Sequence, residues 1–105
     1  MFLADGARRE IARLLASKVP AGVAVMAFGS RVHGRNLKQH SDLDLCLRGE
    51  GPLAEGELAG IREALAESDV RLRVDVVDWW GISEEFRSAI APDLVPFPLP
   101  ELTSV

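Results

Sequence analysis

Apolar positions in the first twenty residues recur with helical spacing. Between about Asp5 and Lys18, Ala7, Ile11, Leu14, Leu15 and Lys18 fall on one side, with Arg8, Arg9, Glu10 and Arg13 opposite, which predicts an amphipathic helix that Pro20 and Gly22 end. The pattern then changes. Val23 to Phe28 is an unbroken apolar run, as expected of a strand covered on both faces. A polar loop with Gly29 and Gly34 follows, with room for a short helix, and Asp42 to Leu47 reads as a second strand. Gly49, Gly51 and Pro52 break the chain before a second helix over Leu53–Ser68. Arg71 to Val76 alternates and continues into Val77 and Asp78 as a third strand. Ser83-Glu84-Glu85 is a helix start, with a capping hydroxyl and acidic residues in the first turn; Phe86, Ala89 and Ile90 give that helix an apolar side. Pro92, Pro96, Pro98 and Pro100 make residues 92–105 an extended Pro-rich tail, leaving residues 1–91 as a single domain.

The order helix, strand, strand, helix, strand, helix predicts an α/β (α+β) fold, a small mixed β-sheet flanked by helices. At 105 residues, 48% of them hydrophobic, the chain suits one modest core. Its net charge of −4 argues against autonomous nucleic-acid binding, which usually shows a basic face. A single cysteine, Cys46, allows no internal disulfide and suits a reducing compartment. No apolar run approaches the roughly 20 residues of a membrane span, and Met1-Phe2-Leu3-Ala4 before Asp5 lacks a signal-peptide pattern. The expectation is a cytoplasmic domain without membrane contact.

The chemistry concentrates in Gly29-Ser30-Arg31 and Ser41-Asp42-Leu43-Asp44-Leu45. Residues i and i+2 of a strand share a face, so Asp42 and Asp44 stand side by side. Paired carboxylates repel unless a cation neutralises them or one keeps its proton. A hard ion such as Mg²⁺, held by carboxylates and substrate phosphates, answers that repulsion. Gly29-Ser30, directly after a buried strand, lets a ligand approach the main chain and offers a hydroxyl and N–H groups to a phosphate. Asp75 sits between Val74 and Val76, pointing away from them; Asp78 is a second candidate for a third carboxylate. Arg31, Arg35 and Lys38 are either phosphate contacts or solvated loop charges, and His33 and His40 form no metal motif. Cys46 reads as a small buried hydrophobe. Of Trp79 and Trp80, one suits the core and the other an exposed anchor, and Leu94-Val95-Pro96-Phe97 hints at a docking surface, leaving self-association open.

Phe28-Gly29-Ser30-Arg31-x-x-Gly34 followed by Ser41-Asp42-Leu43-Asp44-Leu45, with Val74-Asp75-Val76-Val77-Asp78-Trp79 later, resembles the signature of the DNA polymerase β-type nucleotidyltransferases, in their minimal branch from bacteria and archaea. The resemblance runs from about Val23 to Phe86. It implies the nucleotidyltransferase fold, a nucleoside triphosphate substrate (ATP or another), nucleotide binding by Gly29, Ser30, Arg31 and Ser41, and two divalent metals on Asp42, Asp44 and Asp75, which would also be the catalytic residues. It implies transfer of a nucleotidyl group, AMP from ATP first, to a hydroxyl. Minimal members are often encoded beside a small helical HEPN-type protein that some of them adenylylate in toxin–antitoxin pairs, which makes such a protein the expected partner. Two alternatives stand beside this: a non-catalytic antitoxin that acts by binding, and transfer to a small molecule.

Overall fold

The apolar rhythm of the central strand decides how the two sides of this fold differ. The computed structural model describes residues 3–33 and 42–99. Four strands, β1 (Ala24–Phe28), β2 (Leu43–Arg48), β3 (Val74–Asp78) and β4 (Val95–Pro96), form a sheet in the order β3-β2-β1-β4. β1 runs antiparallel to both β2 and β4, while β2 and β3 are parallel. Helix α1 (Asp5–Lys18) precedes β1, and the single turn α2 (Ser30–His33) follows it. Helix α3 (Glu55–Ala66) makes the crossover that a parallel β2–β3 pair demands, and α4 (Glu84–Ile90) comes after β3. This is the mixed, helix-flanked sheet that the apolar pattern predicts. Among the described residues no helix is long and apolar enough to cross a membrane.

Leu43, Leu45 and Leu47 of β2 point to one face and are fully buried. There they meet Val25 and Ala27 of β1, Val76 of β3, Ile11 and Leu15 of α1, and Ile61 and Leu65 of α3. Each such aliphatic side chain contributes about 1.5–3 kcal/mol by leaving water, which is why α1 and α3 share that face. The opposite parity carries a different set. Phe28, Cys46 and Ile90 form a second, smaller cluster, joined by Met26, Val77, Trp79, Ile82 and Leu94. Asp42 and Asp44 share the parity of Cys46, nearer the start of β2.

Local chemistry sets the element ends. Ser83 accepts a hydrogen bond from the Phe86 N–H at 3.1 Å, the cap its sequence predicts. α3 is shorter than the expected Leu53–Ser68. At its start the Leu53 N–H donates to Asp78 Oδ2 at 2.9 Å and the Ala54 N–H to Glu57 Oε1 at 3.1 Å. At its end the Ser68 hydroxyl donates to the Leu65 carbonyl at 2.7 Å. β3 begins only at Val74, where pairing with Leu43 begins.

Within the stretch expected as an extended tail, Val95–Pro96 pair with Ala27 and Met26 as an edge strand. Pro96 is tolerated there because an edge strand can spare an N–H. The next residue donates its N–H to the Val25 carbonyl at 2.9 Å, and the Phe97 ring is only 3% exposed in the main core. The apolar segment therefore docks on its own β1. Phe97→Ala is expected to lower the unfolding free energy by about 3 kcal/mol in urea titrations. Phe86→Ala, at a side chain 39% exposed, should cost under about 1 kcal/mol by the same measurement.

Candidate functional site

The antiparallel turn-back from β1 to β2 and the parallel run of β3 bring three strand ends together. Phe28 lies opposite Asp44, and Asp44 lies opposite Asp75. Phe28 at the end of β1, Asp44 of β2 and Asp75 of β3 therefore form a row across the sheet, with Asp42 just before β2. Just past Phe28, Gly29 has φ +87°, a backbone conformation that side chains with a Cβ rarely adopt. A Cβ there would also collide with Asp44 Oδ2. Glycine is thus needed twice, for the turn and for the carboxylate against it. α2 starts at Ser30, and the Val32 N–H closes its first turn on the Gly29 carbonyl at 3.0 Å.

Half-buried Asp44 is the most perturbed group here. Its pKa is raised to about 6, chiefly by burial and then by the charges of Asp75 and Asp42. Arg73 shares the parity of Asp75 on the same stretch of chain, and its Nε lies 3.4 Å from Asp75 Oδ1 and 3.9 Å from Asp42 Oδ2. An open cleft of about 540 Å³ passes over Asp44 and Asp75, walled by Phe28, Val77 and Phe86. Phe28 and Phe86 meet edge to face with centroids 6.0 Å apart. At the outer edge of β3, Arg62 donates twice to the Val76 carbonyl, at 3.1 and 2.7 Å, which ties α3 to that strand.

The residues expected to act together divide as follows. Gly29, Asp42, Asp44 and Asp75 converge, and Ser30 opens α2 beside them. Arg31 borders a separate hollow of about 220 Å³ with Ala7, Val70 and Leu72. Ser41, Arg35, Lys38 and His40 lie outside the described residues, and His33 ends α2. Asp78, three residues beyond Asp75, falls on the other face opposite Leu47. Buried there, it accepts from the Leu53 and Trp80 N–H groups at 2.9 and 3.1 Å, a fastening role away from the other acids. Cys46 is fully buried, and burial pushes its thiol up to about 11. Trp79 is half-buried under the Arg48 guanidinium at 4.6 Å; Trp80 is 40% exposed and donates its indole N–H to the Gly49 carbonyl at 2.9 Å. Arg73 and the placement of Phe86 escape a reading of the sequence, although the i, i+2 relation of Arg73 to Asp75 was visible in it.

Among the described residues, no group of His, Cys, Asp and Glu side chains stands as a ready-formed metal centre. The carboxylates lining the cleft are those of Asp44 and Asp75, with Asp42 joined to them through Arg73. The sequence pattern of the family described as "Nucleotidyltransferase domain" matches residues 8–99. The chain belongs to this family. Among curated relatives, the nucleotidyltransferase domain is 41% identical over 80 residues to the "probable protein adenylyltransferase MntA" of Haemophilus influenzae, covering 76% of this chain and 69% of that protein. A solved toxin–antitoxin structure with AMP-PNP matches the nucleotidyltransferase domain at TM-score 0.70 and 21% identity, over 90% of this chain and 74% of the other. A complex of the tri-AMPylated Shewanella oneidensis HEPN toxin with MNT antitoxin matches at TM-score 0.63 and 19% identity, over 90% and 71%. The minimal-nucleotidyltransferase resemblance carried by the Gly29-Ser30 and Asp42/Asp44 motifs is thereby borne out.

The raised pKa of Asp44 in this nucleotidyltransferase domain has a stability signature. The unfolded carboxyl loses its proton near 3.8 and the folded one near 6. Across that window the folded state holds the extra proton, so Asp44 makes the domain less stable as pH rises, with the full penalty present above about pH 7. Asp44→Asn removes this penalty. In thermal melts without divalent metal it should stabilise the domain by about 1 kcal/mol near pH 7.5, a figure discounted for solvent screening, and by almost nothing near pH 4.

Proposed function

We propose that this domain transfers AMP from ATP to a hydroxyl on a partner protein, with a HEPN-type toxin as the acceptor class. One observation carries the reading: Asp44 and Asp75 face each other on two parallel strands, with Asp42 just before the first of them, beside the positive-φ Gly29 that precedes α2. A protein that only bound its partner would gain nothing from three mutually repelling acids. The relatives support the same direction, one being named a protein adenylyltransferase and another a complex with an AMPylated HEPN toxin.

The three acids suit divalent metal. Their donors are all carboxylate oxygens, the preference of hard cations such as Mg²⁺, and Asp44 carries the unfavourable charge that a cation would relieve. Asp42, Asp44 and Asp75 would hold two such ions, which when bound activate the attacking oxygen and stabilise the leaving pyrophosphate. The remaining roles belong to the chain. Gly29 and the main chain at Ser30 offer bare backbone to triphosphate oxygens, and Ser41, next to Asp42 in sequence, adds a hydroxyl for the nucleotide. Asp75, on the strand farthest from Gly29, takes the acceptor's hydroxyl proton. The acceptor oxygen bonds to the α-phosphorus, the bond to the bridging oxygen breaks, and pyrophosphate departs with its electron pair. Phe28 and Phe86 wall the cleft beside Asp44 and Asp75 with apolar surface.

Intact mass spectrometry of the chain incubated with a HEPN-type partner, ATP and Mg²⁺ tests this. The expected result is one or more AMP additions on the partner, lost with Asp42→Ala/Asp44→Ala while the complex persists. A stable complex with no added mass on either chain would overturn the catalytic reading in favour of an antitoxin that works by contact.

A further inference from the structure

We propose that Arg73 is the resident counter-ion of the acid cluster, so that a divalent cation binds well only together with the nucleotide. The inference rests on the metal-site reading above and concerns a residue that reading does not use. Arg73 bridges acids from both strands, with Nε at 3.4 Å from Asp75 Oδ1 and 3.9 Å from Asp42 Oδ2. Its backbone is fixed, since its carbonyl accepts from the Leu43 N–H at 2.9 Å in the β2–β3 ladder. Its side chain is 75% exposed and free to change rotamer. The guanidinium is therefore delivered to the cluster by register but not locked there.

A cation seated among the same oxygens would face this like charge at a few ångströms, and the two repel. Exposed ion pairs are individually weak, so the arginine tunes metal affinity without blocking it. A metal ion arriving alone displaces the guanidinium into water with no new partner. A metal–triphosphate complex brings the cation to the acids and phosphate oxygens that suit the released guanidinium. The cluster is thereby biased against free metal and toward the metal–nucleotide pair.

Mn²⁺ binding, followed by loss of the free-ion electron paramagnetic resonance signal, tests this on the full chain. Wild type is expected to bind Mn²⁺ alone weakly. Arg73→Gln should tighten it about fivefold, a screened like-charge effect at this range. Arg73→Lys, which keeps the charge, should stay within about twofold of wild type. With AMP-PNP present, Gln and wild type should converge to within about twofold, because the phosphates take over the guanidinium. Unchanged or weaker Mn²⁺ binding by Arg73→Gln, or equal tightening by Lys and Gln, would overturn the proposal while leaving the metal site standing. Failure of every variant to take up Mn²⁺, with or without AMP-PNP, would overturn the metal site and this inference together. Circular dichroism melts confirm that the exposed substitutions leave the fold intact.

Discussion

Carboxylates on neighbouring strands repel one another, and the arrangement around Asp44 is organised by that repulsion. Burial beside Asp75 and Asp42 makes the charge on Asp44 costly, while the opposite face of the same strand is fully packed. Leu43, Leu45 and Leu47 alternate with the acidic parity and are fully buried under α1 and α3. One strand thus carries the fold's strongest stabilisation on one side and its most strained charge on the other. The glycine at the end of β1 belongs to the same constraint. A side chain there would displace the very carboxylate that the register sets against it.

Much of this is legible in the sequence itself. Two aspartates flanked by leucines in a strand make sense only if something outside the strand wants them, and Gly-Ser after an apolar run narrows what that is. The choice between Asp75 and Asp78 was of another kind. Both lie in one strand, three residues apart, and only the pairing of β3 with β2 says which meets Asp44. Arg73 was hidden for the same reason, since an ion pair between strands depends on register rather than local pattern. For β4 the apolar Leu94–Phe97 segment hinted at docking but not at where it docks. Two residues, one of them proline, are too short a run to read as a strand, and what holds them is the Val25 carbonyl and a slot for Phe97.

Asp78 shows how an acid can be spent on architecture. Its two oxygens accept from the loop before α3 and from the turn after β3, fastening the crossover helix to the strand it precedes. Beside it, Arg87 donates from Nε to the Trp79 carbonyl at 2.8 Å, and Arg48 and Arg87 both stack on the Trp79 ring. The far end of the sheet is thus tied by charged side chains to main-chain groups. The near end keeps its charged side chains open to the cleft. Positions of the two aspartates on β3 decide which end each serves.

Cys46 lies two residues beyond Asp44 at zero exposure, with a thiol pKa of about 11. At neutral pH almost none of it is thiolate, the form that alkylating reagents attack. No reagent reaches it until the side chains packed over it, Phe28 and Ile90 among them, move apart. The rate at which this single thiol is labelled therefore clocks the loosening of the packed cluster beside Asp44. The chain has a gauge of its own integrity built in beside its chemistry, readable in cell extract without altering a residue.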